Sequence, residues 1–376
     1  MDGRTVRMAG VAAAALLSAG GALAQADPFG SLYGGQGSAA PSTIGSTSVE
    51  TAVGRSYAAS QEHGAISLAQ IAFLPKAVSP FPVKLDGSGE KYLRGRPRIA
   101  VATYGFGVAR GASASASGAG QGAEIAPRRT KIATYLNGVS DELAAQLAEE
   151  AYQDLVSRLT AAGFEVVPAE QVAAAPHMQA IARHPGGAVN GRAGGAGWTT
   201  YAPQQAPLIK GYANEGGLGA LAASGALLKL GQVSKELDAV VLIPRLMVDN
   251  VALQSSGQRM FVANASVDAK VWFSLTPASR TDFIFGNERG GAMPGAFTMK
   301  GHGSPEPFAV MVKAGDRSDS RGLHNALVEA GFGSLYRQSL VYAVEADPGR
   351  FAALSRAAFQ GYNAALVEEI RRARNS

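Results

Sequence analysis

The alternation of apolar and polar positions is sharpest in residues 261–275, FVANASVDAKVWFSL. Phe261, Ala263, Ala265, Val267, Ala269, Val271, Phe273 and Leu275 are apolar at every second position. Asn264, Ser266, Asp268, Lys270 and Ser274 fall between them, with Val262 and Trp272 as exceptions. Successive strand side chains point to opposite faces, so the run predicts a long antiparallel strand, dry on one side against a helix layer or lipid. Residues 98–104, RIAVATY, are almost continuously apolar and predict a buried central strand. Residues 237–253 predict another, running through Pro244, which lacks a ladder donor and points to an edge or a bulge. Residues 281–285 and 297–300, separated by Asn287, Gly290, Gly291, Pro294 and Gly295, add an antiparallel meander.

The period changes to that of a helix over residues 140–162. Ser140 is placed to cap it, Asp141 and Glu142 fill the first turn, and Leu143, Leu147, Ala151, Leu155 and Leu159 form one row. Gly163 ends the helix and residues 164–167 follow as a short strand, so strand, helix and strand predict a right-handed unit with its strands parallel. A short helix follows at 169–175. Residues 218–236 predict a further helix, weakened by Gly225 and Gly231. Toward the C-terminus, Ser320 is placed to cap a helix over 321–330, and 334–346 continue in the same pattern. Asp347 and Pro348 open the last helix, with Phe351, Leu354, Ala358, Tyr362, Leu366 and Ile370 as its buried stripe. Arg371, Arg372 and Arg374 complement the negative end of its dipole, which accounts for that basic cluster.

These elements predict an α/β (α+β) fold: a mixed sheet with an antiparallel meander, helices packed mainly on one face, and long Gly/Pro-rich loops. Arg4 and Arg7, an apolar run over 8–23 and the small-x-small site Ala24-Gln25-Ala26 predict a signal peptide over 1–26. Residues 27–95 read as a low-order leader with a short apolar patch at 66–74, stopped by Pro75, Pro80 and Pro82. Residues 96–376 then form a single domain, with disordered insertions expected near 109–130 and 176–212. The second of these is either a disordered insertion or a partner-binding loop whose large groups are Trp198 and Tyr201.

Composition narrows the function. The 34 Lys and Arg against 29 Asp and Glu leave a net charge of +5, scattered along the chain rather than gathered on a face, which speaks against nucleic acid as a partner. The chain has no cysteine, so disulfides, thiolate metal sites, cysteine nucleophiles and cysteine-borne lipids are excluded. The histidines are His63, His177, His184, His302 and His324, and none lies three to five residues from another. G-x-S-x-G and H-E-x-x-H are absent. Glu149-Glu150 and Glu368-Glu369 lie on polar helix faces, and Asp268 with Lys270 reads as a surface pair. Gly105-Phe106-Gly107 and the glycines of 216–225 read as turns or close backbone packing rather than phosphate cradles. No catalytic residue, cofactor or metal is assigned. His302, between Gly301 and Gly303, is the first residue to mutate on chemical grounds.

Residues 98–300 carry a resemblance in the order of elements. RIAVATYGFG leads to the helix DELAAQLAEEAYQDLVSRLTAAG, then to FEVVP, a Gly-rich region, LDAVVLIPRLMVDN and ANASVDAKVWFSL. This is similar to the periplasmic α/β module of the curli secretion channel family and to the N-terminal domain of TolB-type proteins. Members of that family that act in curli export are lipoproteins, and this chain has no cysteine to carry the lipid. The resemblance implies assembly or scaffolding at the cell envelope.

The expectation is therefore an exported, non-enzymatic cell-envelope protein with an assembly, scaffolding or secretion-accessory role. Its partners are other envelope proteins or copies of itself, and its location is periplasmic, outer-membrane-associated through peripheral contact, or secreted. Two alternatives stand beside it. One is a periplasmic hydrolase-like enzyme with a site in the loops 176–212 and 286–303, drawing on His184, His302, Asp249 or Glu288. The other is an outer-membrane β protein with the 261–275 strand facing lipid.

Overall fold

The structure is a computed structural model and describes residues 67–118, 128–184, 187–193, 196–212, 217–256, 266–316 and 337–376. In chain order it has α1 (Leu68–Ala72), β1 (Asp86–Ser88), β2 (Arg98–Val101), β3 (Gly105–Gly118), β4 (Arg128–Asn137), α2 (Asp141–Ala161), β5 (Glu165–Val166), α3 (Ala169–Ala174), α4 (Pro176–Gln179), β6 (Ala188–Ala193) and β7 (Ala196–Tyr201). Then follow α5 (Gly217–Ala223), α6 (Ala226–Leu237), β8 (Val240–Ser256), β9 (Ser266–Leu275), β10 (Arg280–Gly286), β11 (Ala292–Thr298), β12 (His302–Ser304), β13 (Ala309–Asp316), β14 (Arg337–Ala346) and α7 (Pro348–Asn375). Among the described residues the strands join in one 14-stranded mixed sheet.

Strand β8 is its spine. Along one edge it pairs in parallel with β2, up to Val101 opposite Leu242, and then with β3, from Gly105 opposite Arg245. Along the other edge it pairs antiparallel with β10 and then β9. Pro244 falls where β2 has ended and β3 has not begun, so a residue without an N–H interrupts neither parallel ladder. The predicted parallel relation of residues 98–104 and 164–167 holds as Arg98 opposite Glu165 and Ile99 opposite Val166.

Alternate side chains of β8 enter two cores. Val240, Leu242, Leu246 and Val248 join Ile99, Val101 and the buried stripes of α2 and α7. Val241 and Ile243 face the other way, onto Leu230, Val233 and Leu237 of α6 together with Val172 and Met178. A strand covered on both faces reads as continuously apolar, which explains the run at 239–243. The two longest helices thus share one face as expected, and α3 to α6 add a smaller layer on the other. Both long helices are capped as the sequence implies. The Ser140 hydroxyl accepts from Leu143 N–H at 3.2 Å, and the Asp347 carboxylate accepts from Arg350 N–H at 2.7 Å. A bidentate pair, Arg356 to Glu150 at 2.7 and 2.9 Å, ties α7 to α2.

The leader is more ordered than its composition suggests over residues 67–95. Phe81 is buried, and its N–H donates to the Ala357 carbonyl on α7 at 3.0 Å. At that crossing a Cβ on Gly361 would lie 2.2 Å from the Phe81 carbonyl oxygen, so only glycine admits the contact. Buried Arg350 holds the Pro75 carbonyl, and Gly95 N–H reaches the Arg374 carbonyl at 2.9 Å, so the segment is strapped along α7 from end to end.

Three further expectations are corrected. Residues 105–118, read as a glycine turn running into a disordered insertion from about 109, form β3. Their Ala/Ser alternation has the period of a strand, and β4, β7 and β8 supply the ladder partners that composition could not reveal. Residues 176–212, expected as an insertion, contain α4 and the antiparallel pair β6 and β7, with Trp198 and Tyr201 buried. Residues 337–346 are a strand, not a helix. β14 lies between β4 and β13, and a short apolar run paired on both edges does not reveal its period from the sequence. The first five residues of the 261–275 run, the helix expected over 321–330 and most of 109–130 beyond Gly118 lie outside the described residues. Within the described part of that run, Phe273 and Leu275 are fully buried, with Phe273 edge-on to Phe351 of α7 at 5.6 Å. Ala269 and Val271 are half-buried, however, and Trp272 and Ser274 of the opposite face are buried too, so the predicted single dry face is not what sets this strand apart there.

Candidate functional site

The sheet changes character where β8 parts from β3. Their last pair is Val108 opposite Val248. Just beyond, β3 slips register against β7 between Ala109 and Gly111, and β8 slips against β9 between Asp249 and Val251. The Asn250 amide stitches the two by donating to the Ala109 carbonyl at 2.5 Å. From Gly111 onward β3 takes β4 as its partner instead. Bulges of this kind bend strands and re-aim side chains. Here they release two antiparallel ribbons, β3 with β4 and β8 with β9, from the helix-covered body. A third ribbon, β13 with β14, joins them through β4.

Asp249 sits at the parting and is 1 % exposed. Its Oδ1 accepts the N–H groups of Asn250 and Val251 at 2.7 and 3.2 Å. Its Oδ2 is buried without a partner, as is Trp272 Nε1 on the same face of β9. Burial pushes the carboxyl up to about 6, against the opposing pull of the two backbone donors. The indole lies flat on Gly303, where a Cβ would meet the ring at 2.2 Å. On the other side of the sheet the bulged Arg110 anchors the parting to the start of α2. Its guanidinium donates to the Val139 carbonyl at 2.5 Å, to Asp141 Oδ1 at 2.7 Å and to the Tyr201 hydroxyl, which itself donates to Asp141 at 2.6 Å.

Further out, packing is made by strands alone: Ile132 of β4 touches Ala114, Leu253, Ala269 and Tyr342, drawn from β3, β8, β9 and β14. The sheet ends at β13, whose one ladder partner among the described residues is β14. Met311 turns inward, while Val312 is 48 % exposed. A register shift between Lys313 and Gly315 breaks the flatness of that edge, a device that limits indiscriminate strand pairing.

The candidate enzyme residues are not brought together. The register sets His302 opposite Leu275, which is opposite Val248, so His302 faces the α7 core; its ring lies 5.1 Å from Phe81 and burial lowers its pKa. Asp249 is opposite Ser274 and faces the other way. His184 donates its N–H to the Leu208 carbonyl, and burial followed by the Lys210 charge lowers its pKa. Glu288 lies in the turn after β10, its carbonyl accepting from Lys235. His177 pairs with Glu236, while Glu368 and Glu369 each pair with an arginine three residues on. His63 and His324 lie outside the described residues. Among the described residues no three His, Asp or Glu side chains group so as to hold a metal ion. A second buried carboxylate, Asp282, is bound by Arg280 and by the Tyr212 hydroxyl at 2.6 Å, which clamps residues 202–212 onto β8 and β10. Sequence reasoning missed Arg110 and Asn250. The signal was the polar pair Asp249-Asn250 inside the apolar run LMVDNVAL.

No protein-family model, no curated protein and no solved structure matches this chain.

Proposed function

We propose that the protein is an exported, non-enzymatic component of the cell envelope with an assembly, scaffolding or secretion-accessory role. It acts through strand-edge contact with other envelope proteins or with copies of itself. One observation carries this reading: the sheet leaves its helical cover as three adjacent ribbons and ends in β13, whose outward face bears the exposed Val312. Main-chain groups along such an edge give affinity, and its side chains give selectivity. The charged N-terminus, apolar run and small-x-small site of residues 1–26 support export. The resemblance to the curli secretion channel family supports the envelope as the place of action. The test is the native mass of the chain lacking residues 1–26, measured with and without Val312→Lys. Concentration-dependent assembly that the substitution abolishes supports the proposal. A monomer at all concentrations that binds no envelope protein overturns it.

Strand length favours a second reading. β4 and β14 each span 10 residues, within the 9–11 that a tilted membrane strand needs. No helix among the described residues is long and apolar enough to cross a membrane, which says nothing of strands. Stable partition into lipid vesicles without detergent is the result that this second reading requires.

A further inference from the structure

We propose that the parting of β3 and β8 is a proton-operated joint: neutral Asp249 keeps the two ribbons seated on the body, and its ionisation loosens them. The inference stands apart from the assembly role, because it concerns how the ribbons are held rather than what they touch.

Its basis is geometric. Three strands meet at Asp249, two of them slip register within a residue of it, and one side-chain amide, Asn250 to Ala109, closes the gap. Oδ1 accepts from two backbone donors, whereas Oδ2 is buried with no hydrogen-bond partner. On ionisation the carboxylate places charge on Oδ2 in a dry site, which opposes closure. The neutral acid carries its proton on Oδ2 and keeps Oδ1 as the acceptor that holds the bulge. Opening therefore accompanies loss of one proton from Oδ2 to solvent.

No neighbouring charge offers a rival explanation. On β8 itself Arg245 shares the face four residues back and is engaged by the Tyr212 carbonyl. On β9, Lys270 lies four residues from Ser274. On β3, Arg110 points to the α2 side and is held by Val139, Asp141 and Tyr201. On β12, His302 is on the opposite face, against Phe81. The upward displacement of the Asp249 carboxyl, to about 6, arises from burial and is opposed only by its two backbone bonds. The sign follows: a raised folded-state pKa favours closure fully below the ordinary value of 3.8, and that preference is lost as pH rises through about 6.

The experiment is hydrogen exchange on the full chain between pH 5 and 7.5, corrected for base catalysis of the chemical step. In the wild type, opening of the amides in 105–112 and 245–251 is expected to become roughly tenfold more populated across that range. Asp249→Asn keeps the Oδ1 acceptor and removes the charge, so the step should vanish while the two segments stay protected. A wild type without the step, or a variant that retains it, overturns the proposal. Should the variant fail to fold, the wild-type Asp249 carboxyl is titrated directly by its carbon chemical shift. A midpoint near 6 supports the joint, and one near 4 overturns it.

Discussion

The two halves of β8 live in different surroundings. From Val240 to Ile243 its side chains lie between two helical layers, Leu246 and Val248 continue into the α2 and α7 core, and Val240, Leu242, Leu246 and Val248 are all 0 % exposed. Beyond Val251, which still joins the main core, it pairs along β9, and the small cluster around Ile132 holds only Ala114, Leu253, Ala269 and Tyr342 beside it, far fewer large side chains than the first half meets. Dispersion and apolar burial scale with the area covered, so the first half carries stability and the second carries reach. One continuous strand can do both because the bulge at 249–251 lets the sheet change partners without leaving backbone groups stranded.

Cavity-forming changes sharpen this contrast most. Leu242→Ala should cost about 3–4 kcal/mol in urea unfolding, since the α2 and α7 layer packed over it resists collapse around the gap. Leu253→Ala, beyond the parting, should cost about half as much. Equal losses would erase the contrast. Next comes the pH response. Between pH 4 and 7 the ionisation of Asp249 should remove up to about 3 kcal/mol of stability, and Asp249→Asn should flatten that stretch of the curve. Stability that rises steadily with pH in the wild type would contradict the buried carboxyl. Removing the α7 cap by Asp347→Ala should cost about 1 kcal/mol and lower the unfolding midpoint without altering exchange at the ribbons. The smallest change in stability, under about 0.5 kcal/mol, is expected for Val312→Lys, whose readout is assembly rather than unfolding.

The body was legible in the sequence because its signals are local. Ser140, Asp347, Pro348 and Gly163 mark helix ends, and the rows from Leu147 to Leu159 and from Phe351 to Ile370 mark faces. The strands of the β8–β9 ribbon were legible too, but the other two ribbons were not, because a strand such as GASASASG owes its order to partners far along the chain. Small side chains carry a period of two so weakly that Gly, Ala and Ser read as linker. The strap over 67–95 failed for the same reason: its prolines and glycines signal loop, while its order comes from Arg350, Gly361 and Arg374 on the last helix. The parting was half visible. Asp249 was singled out as a chemical candidate, but its pairing with Ser274 and the reach of Asn250 to Ala109 depend on a register that no single sequence displays.

The most direct test of a strand divided between body and ribbon is a residue-by-residue exchange profile along 240–256 at one fixed pH. Protection close to the global unfolding free energy over 240–248, followed by a sharp fall beginning at 249–251, is the predicted result. Uniform protection through 256, or a fall that begins before Pro244, would contradict the account.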